Sequence, residues 1–570
     1  MMGLITAGLL FGSFISFVEI KSYLDNLSYD GNVESFTPVM WQEIQFKTRW
    51  VSIGFILAAI AFFLFRKNVI IWNEWLINEL KLCYAVNRQN LLAFFRKENV
   101  FHVCLLMGII LSGVYIRLYY LASPIKYDEA FTYLYYASQP LLTIISNYSY
   151  PNNHIFHTIL AHFSTSIFGG DEWAIRLPAF FGGILIIPLI YIFIRRIGNK
   201  NAALLAATLC AYSFYLVEFS VKARGYTIIT SFFLIQLILA DLLNKRSDRF
   251  IWLIFCIVSA LGFWVIPVMI FPFGVVCLWV LFSIVFSKNQ KSKRTSLKSL
   301  VGSIVIVILL TILLYMPVII VSGVAPLIDN AYVVSSSTTT MFINKISETS
   351  VNIWEVWNKG FSQIIQWLML IGFGVTLYIK KELRIFLFAI ILSSSLLILL
   401  KFVMPPSRVW LFLLPIYFGL CSIGIEGILS RLSRKFKTIV VVSISTICLL
   451  IIVIGLTNID EHKYVHKGFD GIEETSLYLK EKVNERDNIL SVISTDIPLL
   501  YYFQKHDISL ANFKRPISES ERLFLIVNKT SKRTLDYIVK KYKISKSQFS
   551  SPTLINEFDD LEVYEMTRID

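Results

Sequence analysis

Charged residues are scarce in this sequence. Asp, Glu, Lys and Arg make up 16% of the 570 residues, whereas a typical soluble protein has about 25%. Apolar residues reach 56%, and the mean hydropathy is +0.64. This composition excludes a soluble globular protein of this size and predicts a polytopic membrane protein. The net charge of +14 does not indicate nucleic-acid binding, because the Lys and Arg of cytoplasmic loops give membrane proteins the same excess.

Cysteine is also rare, with seven residues in the chain. None lies in a segment that we expect outside the membrane, so a disulfide framework is not expected. The first apolar stretch lacks a basic leader and a small-residue cleavage site, and we interpret it as a retained span and not as a cleaved signal. The region after residue 457 lacks a phosphate-binding glycine loop.

Apolar runs of the length that a bilayer requires recur along the chain, and we count about thirteen of them. The predicted spans are 3–20, 50–66, 101–121, 174–194, 201–219, 226–243, 250–266, 267–287, 300–321, 363–379, 384–404, 409–426 and 438–456.

The basic clusters all fall on one side of the membrane when thirteen spans are assumed. Because Lys and Arg accumulate in cytoplasmic loops, we expect a cytoplasmic N-terminus and an extracytoplasmic C-terminus in a bacterial-type inner or plasma membrane. Residues 1–100 then form an N-terminal addition of two spans with an amphipathic cytoplasmic segment. Residues 101–456 form the transmembrane body, with a long outer loop at 122–173.

Residues 457–570 have the composition of a soluble domain, with 17 Lys and Arg against 19 Asp and Glu. Short β-type runs alternate with helical patterns, which favours a compact α/β module. The predicted helices are 473–484, 497–503 and 534–542, and the predicted strands are 488–494, 523–527 and 561–564.

An acidic pair, Asp128-Glu129, follows the span 101–121 directly. A carboxylate at the edge of the hydrocarbon region is costly and is usually retained for a function. Carboxylates also serve as general bases that activate hydroxyl groups. The alternative is that the pair only begins an interfacial helix, since acidic residues favour helix N-termini.

Cations on the outer side oppose the general charge trend. Lys222 and Arg224 follow the span 201–219, and Arg408 lies in a later outer turn. Arginine suits phosphate because its planar group donates two hydrogen bonds at once. Interfacial anchoring of these side chains is the alternative interpretation.

Four short motifs in this order resemble those of a known family. They are Tyr127-Asp128-Glu129-Ala130, Asn152-Asn153-His154, the run from Ala174 to Gly183, and Ala223-Arg224-Gly225-Tyr226. The sequence resembles the polyprenyl-phosphate-dependent glycosyltransferases with the GT-C fold, in their protein mannosyltransferase-like and lipid A aminoarabinose transferase-like branches (glycosyltransferase family 39-like). The resemblance covers about residues 101–456.

The resemblance implies a sugar donor on a polyprenyl phosphate and an acceptor hydroxyl that attacks the anomeric carbon with inversion. Asp128 would be the general base, with Glu129 beside it orienting the base or the acceptor. The substrate- and phosphate-binding residues implied are Asn153, His154, Lys222, Arg224, Tyr226 and Arg408. The protein-mannosylating branch carries a His-Pro-Pro type motif where this chain has Asn153-His154-Ile155-Phe156, so the acceptor stays open among an envelope glycan, a lipid and a protein.

Other interpretations remain beside this one. A divalent cation at His154, His157 and His162 is an alternative to ordinary polar contacts, and no further cofactor is predicted. A lipid or polysaccharide transporter is the first rival function, although transporters place their functional charges near the bilayer midplane. A non-catalytic scaffold for envelope assembly is the second. The expected partners are the lipid-linked donor, the acceptor and membrane lipids, and not nucleic acid.

Overall fold

The computed structural model divides the chain into two compact units. The first comprises Met1–Val100, Ser146–Ser149 and Ile312–Ile328, and the second comprises the remainder. The residues described are 12, 14–27, 36–64, scattered positions between 66 and 82, 100–245, 248–286, 290–328, 338–432, 437–457, 469–531, 533–545 and 547–569. Most of the predicted span 3–20 and of the amphipathic segment within 1–100 lies outside the described residues.

The first unit contains the helices Phe17–Leu27 and Pro38–Leu64, and the second of these includes most of the predicted span 50–66. The side chains of Trp41 and Gln45 both donate to the carbonyl of Ile15 at 3.0 Å. These bonds tie the long helix to the residues that precede the shorter one.

The chain is mainly helical in the described residues between 100 and 457. Its α-helices are Val100–Leu121, Tyr127–Thr132, Leu141–Ser146, Ile155–Phe168, Glu172–Ile197, Lys200–Tyr212, Phe214–Ser220, Tyr226–Lys245, Arg249–Val265, Ile270–Val285, Gln290–Val321, Ala325–Ile328, Thr339–Trp357, Gln363–Ile379, Glu382–Lys401, Leu414–Leu432 and Lys437–Thr457. Tyr133–Ala137 is a π-helix, and Pro267–Met269 and Ser407–Leu413 are 3-10 helices.

Eight helices among the described residues are long and apolar enough to cross a membrane, or nine if one bent pair counts as a single span. Each of the eleven spans predicted between residues 101 and 456 coincides with a helix or a helix pair. Two of these helices, Arg249–Val265 and Gln363–Ile379, have only 17 residues, whereas a bilayer requires about 20. The predicted count of thirteen is therefore not confirmed, while an integral membrane protein is supported.

The bent pair is the predicted span 201–219. It consists of Lys200–Tyr212 and Phe214–Ser220, which meet at an angle of 59°. The break falls at Ser213, whose backbone is extended. Gly183 lets the second half pack closely against Glu172–Ile197, because a Cβ at this glycine would lie 2.0 Å from Ser220 Oγ. We call this pair the broken span.

The C-terminal domain, residues 469–569, is built on a four-stranded sheet. Its strands are β1 (Asn488–Leu490), β2 (Arg522–Asn528), β3 (Thr553–Glu557) and β4 (Leu561–Thr567), in the order β1-β2-β4-β3. β1 and β2 are parallel, and the other pairs are antiparallel. Its helices are Ile472–Lys482, Asp496–Lys505, Ala511–Lys514 and Leu535–Lys541, with a 3-10 turn at Ile517–Glu519.

The helix Asp496–Lys505 packs the C-terminal domain against the transmembrane body. Its buried residues share one apolar core with Ile125, Ala130 and Ala223. The Tyr502 hydroxyl accepts a hydrogen bond from the Ile125 amide at 3.2 Å, and Lys505 forms an ion pair with Glu172 at 3.0 Å. The C-terminal domain thus holds the segment that carries the acidic pair.

Candidate active site

The acidic pair lies in the first turn of the helix Tyr127–Thr132, which we call the acidic helix. Carboxylates are favourable at this position because the helix dipole is positive there. The Glu129 carboxylate also accepts the backbone amide of Lys126 at 3.1 Å, which closes the first turn. The local sequence therefore explains both the start of the helix and the position of its two acids.

Glu129 is buried and fully engaged. Arg176 donates to its two carboxylate oxygens, each at 2.9 Å, and the amide of Ala223 donates at 2.7 Å. Burial alone would raise the pKa of Glu129, but the charge and hydrogen bonds of Arg176 outweigh it and lower the pKa to about 2. A carboxylate held charged by these donors is suited to orienting its neighbours and not to accepting a proton.

Arg176 belongs to the motif from Ala174 to Gly183 but was not predicted as a site residue. Besides Glu129 it donates to the carbonyls of Leu121, Ser123 and Pro124 at 2.9, 2.6 and 3.0 Å. These carbonyls lie at the end of the span Val100–Leu121 and just beyond it. Arg176 therefore fixes the exit of the chain from this span and the start of the acidic helix together.

Asp128 has a different environment from its neighbour. It is half-buried, and one carboxylate oxygen accepts the Asn152 side-chain amide at 3.4 Å. The Thr132 hydroxyl, one turn along, donates to the Asp128 carbonyl at 2.8 Å. Among the described residues, the carboxylate thus has one weak donor, and it remains partly exposed, as a general base requires.

Residues 221–225, which we call the cationic loop, follow the broken span. Alternate backbone amides anchor the loop, since Ala223 donates to Glu129 and Gly225 donates to His154 Nδ1 at 2.9 Å. Gly225 fits only without a side chain, because a Cβ there would lie 2.2 Å from Val265 Cγ1. These backbone amides therefore anchor the loop, and this anchoring does not use the side chains of Lys222 and Arg224.

Arg224 reaches the acidic helix from this loop. Its guanidinium donates to the carbonyl of Asn152 at 3.1 Å and to the Thr132 hydroxyl at 3.4 Å. Asn152 and Thr132 are thus shared between Arg224 and Asp128. The structure brings these two predicted site residues together through residues that were not predicted as part of the site.

His154 is buried beside Arg224. Burial, followed by the charges of Arg224, His157 and Arg408, lowers its pKa well below the ordinary value, so the ring is neutral at pH 7. Because Nδ1 accepts the Gly225 amide, the ring proton lies on Nε2. His154 is therefore a neutral hydrogen-bond donor, and its ring packs edge-on against Tyr226 at 5.4 Å.

The remaining predicted site residues are Asn153, Lys222 and Arg408, and each has different partners. Asn153 donates to the carbonyl of Ile144 at 2.8 Å and supports the backbone. Lys222 forms an ion pair with Glu218 and lies 4.9 Å from the Phe219 ring. Arg408 is exposed at the start of its 3-10 helix, close enough for its charge to act on His154.

The other two histidines of this region do not join His154 in one cluster. His157 is buried, and neither ring nitrogen has a hydrogen-bond partner among the described residues. His162 Nδ1 lies 2.8 Å from the carbonyl of Ala137. In the described part of the chain, no group of three or more His, Cys, Asp or Glu side chains has an arrangement that could hold a metal ion.

Arg117 was missed entirely by the sequence reasoning. It is fully buried in the span Val100–Leu121 and donates to the carbonyls of Ala211 and Cys210 at 2.9 and 3.4 Å. In an unbroken helix these carbonyls would accept amides four residues further on, beyond the break at Ser213. Arg117 also donates to Ser220 Oγ at 3.0 Å, so it joins both halves of the broken span immediately before the cationic loop.

Comparison with known proteins matches part of this region to a family. Residues 153–320 match the family model described as dolichyl-phosphate-mannose-protein mannosyltransferase. The match includes His154 and the cationic loop and begins after the acidic pair. No curated protein sequence matches the chain.

Solved structures match about four fifths of the chain. ArnT from Cupriavidus metallidurans in the apo state gives a TM-score of 0.52 at 10% identity, over 81% of this chain and 97% of that chain. Its structure bound to undecaprenyl phosphate gives 0.51 at 11% identity, over 82% and 98%. The apo oligosaccharyltransferase of Archaeoglobus fulgidus gives 0.46 at 12% identity, over 76% and 70%.

The chain has the GT-C fold. The suspected resemblance to the protein mannosyltransferase-like and ArnT-like glycosyltransferases is thereby confirmed at the level of the fold and of the family match. Together they support a membrane glycosyltransferase.

Proposed function

We propose that the protein is an inverting glycosyltransferase that moves a sugar from a polyprenyl phosphate to an acceptor hydroxyl at the extracytoplasmic face of the membrane. The observation that carries the proposal is the junction of Asp128 with Arg224 through Asn152 and Thr132. It supports the proposal because a half-buried carboxylate and a cation of the type that suits phosphate share one hydrogen-bond network. The structure of ArnT bound to undecaprenyl phosphate adds support for a donor of this class.

The proposed reaction is a single displacement. Asp128 takes the proton of the acceptor hydroxyl while the oxygen of that hydroxyl attacks the anomeric carbon. The bond between the anomeric carbon and the phosphate oxygen breaks on the opposite face, which inverts the anomeric centre. Both electrons of that bond stay with the phosphate, which remains on the lipid.

The leaving phosphate needs charge stabilisation and not a proton. Arg224 supplies two donors in a planar fork, and the Nε2–H of His154 supplies a neutral one. Arg408 is positioned to add a second positive charge. Donors that are already oriented before the reaction stabilise developing charge most effectively, and the backbone anchoring of the cationic loop provides that orientation.

The proposal is tested in cells that lack the protein, complemented with wild type or Asp128→Asn, by mass spectrometry of envelope glycans, lipids and proteins. We expect one sugar modification to be absent from both the deletion and the Asp128→Asn cells. The exposed Asp507 provides a matched control, since Asp507→Asn makes the same chemical change at a residue that belongs to no proposed site. Full modification in the Asp128→Asn cells would overturn the proposal, as would the absence of any change in the deletion.

The two rival functions predict other outcomes. A transporter loses a translocated lipid or polysaccharide in the deletion but needs no base at Asp128, so Asp128→Asn would retain function. A scaffold likewise tolerates this substitution. The Asp128→Asn strain therefore separates the transferase from both rivals.

A further inference from the structure

Three aromatic side chains beside the acidic pair form a surface that the proposed chemistry does not use. We call Phe131, Tyr135 and Tyr150 the aromatic platform. Phe131 stacks on Tyr135 with ring centroids 4.5 Å apart and meets Tyr150 edge-on at 5.2 Å. Tyr135 and Tyr150 are 47% and 49% exposed, so each presents ring surface and a hydroxyl to a ligand.

The platform is held rigidly from behind. The buried Tyr136 hydroxyl accepts the amide of Tyr150 at 3.2 Å, which fixes the backbone under that ring. Tyr135 lies in a π-helical turn closed by the bond from the Ser138 amide to the Tyr133 carbonyl at 2.9 Å. Turns of this kind are rare and frequently mark functional sites. Rings fixed in advance lose little entropy when a ligand binds.

The platform borders the candidate base. Phe131 lies three residues after Asp128, at the spacing that puts two side chains on the same face of a helix. Tyr150 lies two residues before Asn152, whose amide contacts the Asp128 carboxylate. A molecule that rests on these rings therefore places its neighbouring groups at Asp128.

The C-terminal domain contributes a carboxylate, that of Asp496, to the surroundings of the platform. Asp496 begins the helix that packs on the acidic helix. Burial raises the pKa of the Tyr135 phenol, and the charge of Asp496 raises it further, so this carboxylate acts electrostatically on the phenol. Tyrosines at membrane interfaces otherwise serve as lipid anchors, but here a soluble domain adjoins them.

We propose that the aromatic platform binds the saccharide part of the acceptor, so that the attacking hydroxyl belongs to a sugar of a growing glycan. A pyranose ring has a face of C–H groups that stacks on an aromatic ring, whose face is electron-rich. Its hydroxyl rim hydrogen-bonds to the phenols of Tyr135 and Tyr150 and to Asp496. This inference rests on the proposed function and selects one acceptor class from the three that the sequence left open.

The first test needs no variant. The sugar that is missing from the deletion cells is identified in the product from wild-type cells, and linkage analysis determines the group to which it is bonded. The proposal expects a glycosidic bond to another sugar. A bond to a Ser or Thr side chain, or directly to a lipid headgroup, would overturn it while leaving the transferase function intact.

The second test removes the rings in the full-length protein. The double variant Tyr135→Ala/Tyr150→Ala should lower product formation by roughly tenfold or more, as expected for the loss of aromatic anchors in a binding site. Binding of undecaprenyl phosphate to the purified variant should stay unchanged, because the cationic loop is untouched. The conservative variant Tyr135→Phe/Tyr150→Phe should keep part of the activity by preserving the ring faces.

Tyr537→Ala is the matched control, since Tyr537 is 46% exposed in the C-terminal domain and belongs to no proposed site. Wild-type product yield from the double alanine variant would overturn the platform. Loss of undecaprenyl phosphate binding in that variant would also overturn it, because the rings would then act on the donor side. Failure of the proposed function has a separate signature, which is unchanged glycans in the Asp128→Asn cells.

Discussion

The two halves of the candidate site treat their charges in opposite ways. In the closed half, Glu129 and Arg176 are buried and satisfy each other with two bonds of 2.9 Å. In the open half, Asp128 is half-buried, and Arg224, although buried, binds only a carbonyl and a hydroxyl among the described residues. Neighbouring acids of one helix thus differ in their partners, and in the proposed function Glu129 holds the site while Asp128 meets the substrate. The comparison teaches that saturation with partners, and not charge alone, separates the two roles.

The largest expected effect comes from opening the closed half. Arg176→Met leaves Glu129 buried without its counter-ion, which costs about 3–5 kcal/mol. We expect a strongly lowered thermal midpoint of the purified protein, measured by the loss of monodisperse protein on heating. Arg486→Met is the control, since the Arg486–Glu521 pair is exposed and such a pair contributes at most about 1 kcal/mol. Equal stability of Arg176→Met and wild type would contradict the assignment of a structural role.

The same change in the open half should act on binding instead. Arg224→Met removes a cation proposed to bind phosphate, and a hydrogen bond to a charged group contributes about 1.5–3 kcal/mol. We therefore expect a dissociation constant for undecaprenyl phosphate that is roughly 10- to 100-fold larger, with a smaller fall in thermal midpoint than in Arg176→Met. Arg486→Met again serves as the control. Unchanged affinity would remove Arg224 from the donor site.

The apolar pattern predicts where the helices lie but not how they turn. Every span predicted between residues 101 and 456 coincides with a helix or a helix pair, because a bilayer demands long apolar runs. The break at Ser213 was not predicted, since residues on both sides of it are equally apolar. Strand β3 was also missed, and most of its residues are exposed or half-buried, which leaves little apolar signal in the sequence.

Arg117 connects the span Val100–Leu121 to the broken span, which leads into the cationic loop of the open half. Arg117→Met leaves the carbonyls of Cys210 and Ala211 without this donor, and an unsatisfied buried polar group costs about 1–3 kcal/mol. We expect a lower thermal midpoint together with weaker undecaprenyl phosphate binding, because the broken span leads into the cationic loop. Arg117→Lys should recover part of both, since it keeps a donor but loses the fork.

Ser220→Ala provides the finer test of this link. It removes the contact of Arg117 with the second half of the broken span, together with the bond from the Ser220 hydroxyl to the Leu216 carbonyl, and leaves the bonds of Arg117 to the first half in place. A measurable loss of undecaprenyl phosphate affinity is expected, with a smaller fall in thermal midpoint than in Arg117→Met. If only stability falls in both variants, Arg117 supports the fold and does not position the loop.

The sequence indicates candidate residue types for the site but not their pairings. The outer cations and the acidic pair stood out because charge is rare in this chain. The partners of Glu129 lie 47 and 94 residues away along the sequence, and no local pattern reports such contacts. Arg117 was missed for a related reason, since a single Arg within an apolar run carries no sign of the helix break that it satisfies.

The smallest effect is expected from moderate acidification. Glu129 has a pKa of about 2 in the folded protein, against an ordinary value of 4.5. A carboxylate with a lowered pKa stabilises the fold fully above its unfolded value and loses that contribution as the pH falls towards the folded one. Stability due to this pair should therefore be unchanged between pH 7 and pH 5 and should decline between about pH 4.5 and pH 2. Glu129→Gln, which has no proton to take up, should flatten that acid decline in thermal midpoints measured across the range. An equally steep decline in the variant would show that other carboxylates cause the acid sensitivity. It would contradict the lowered pKa of Glu129.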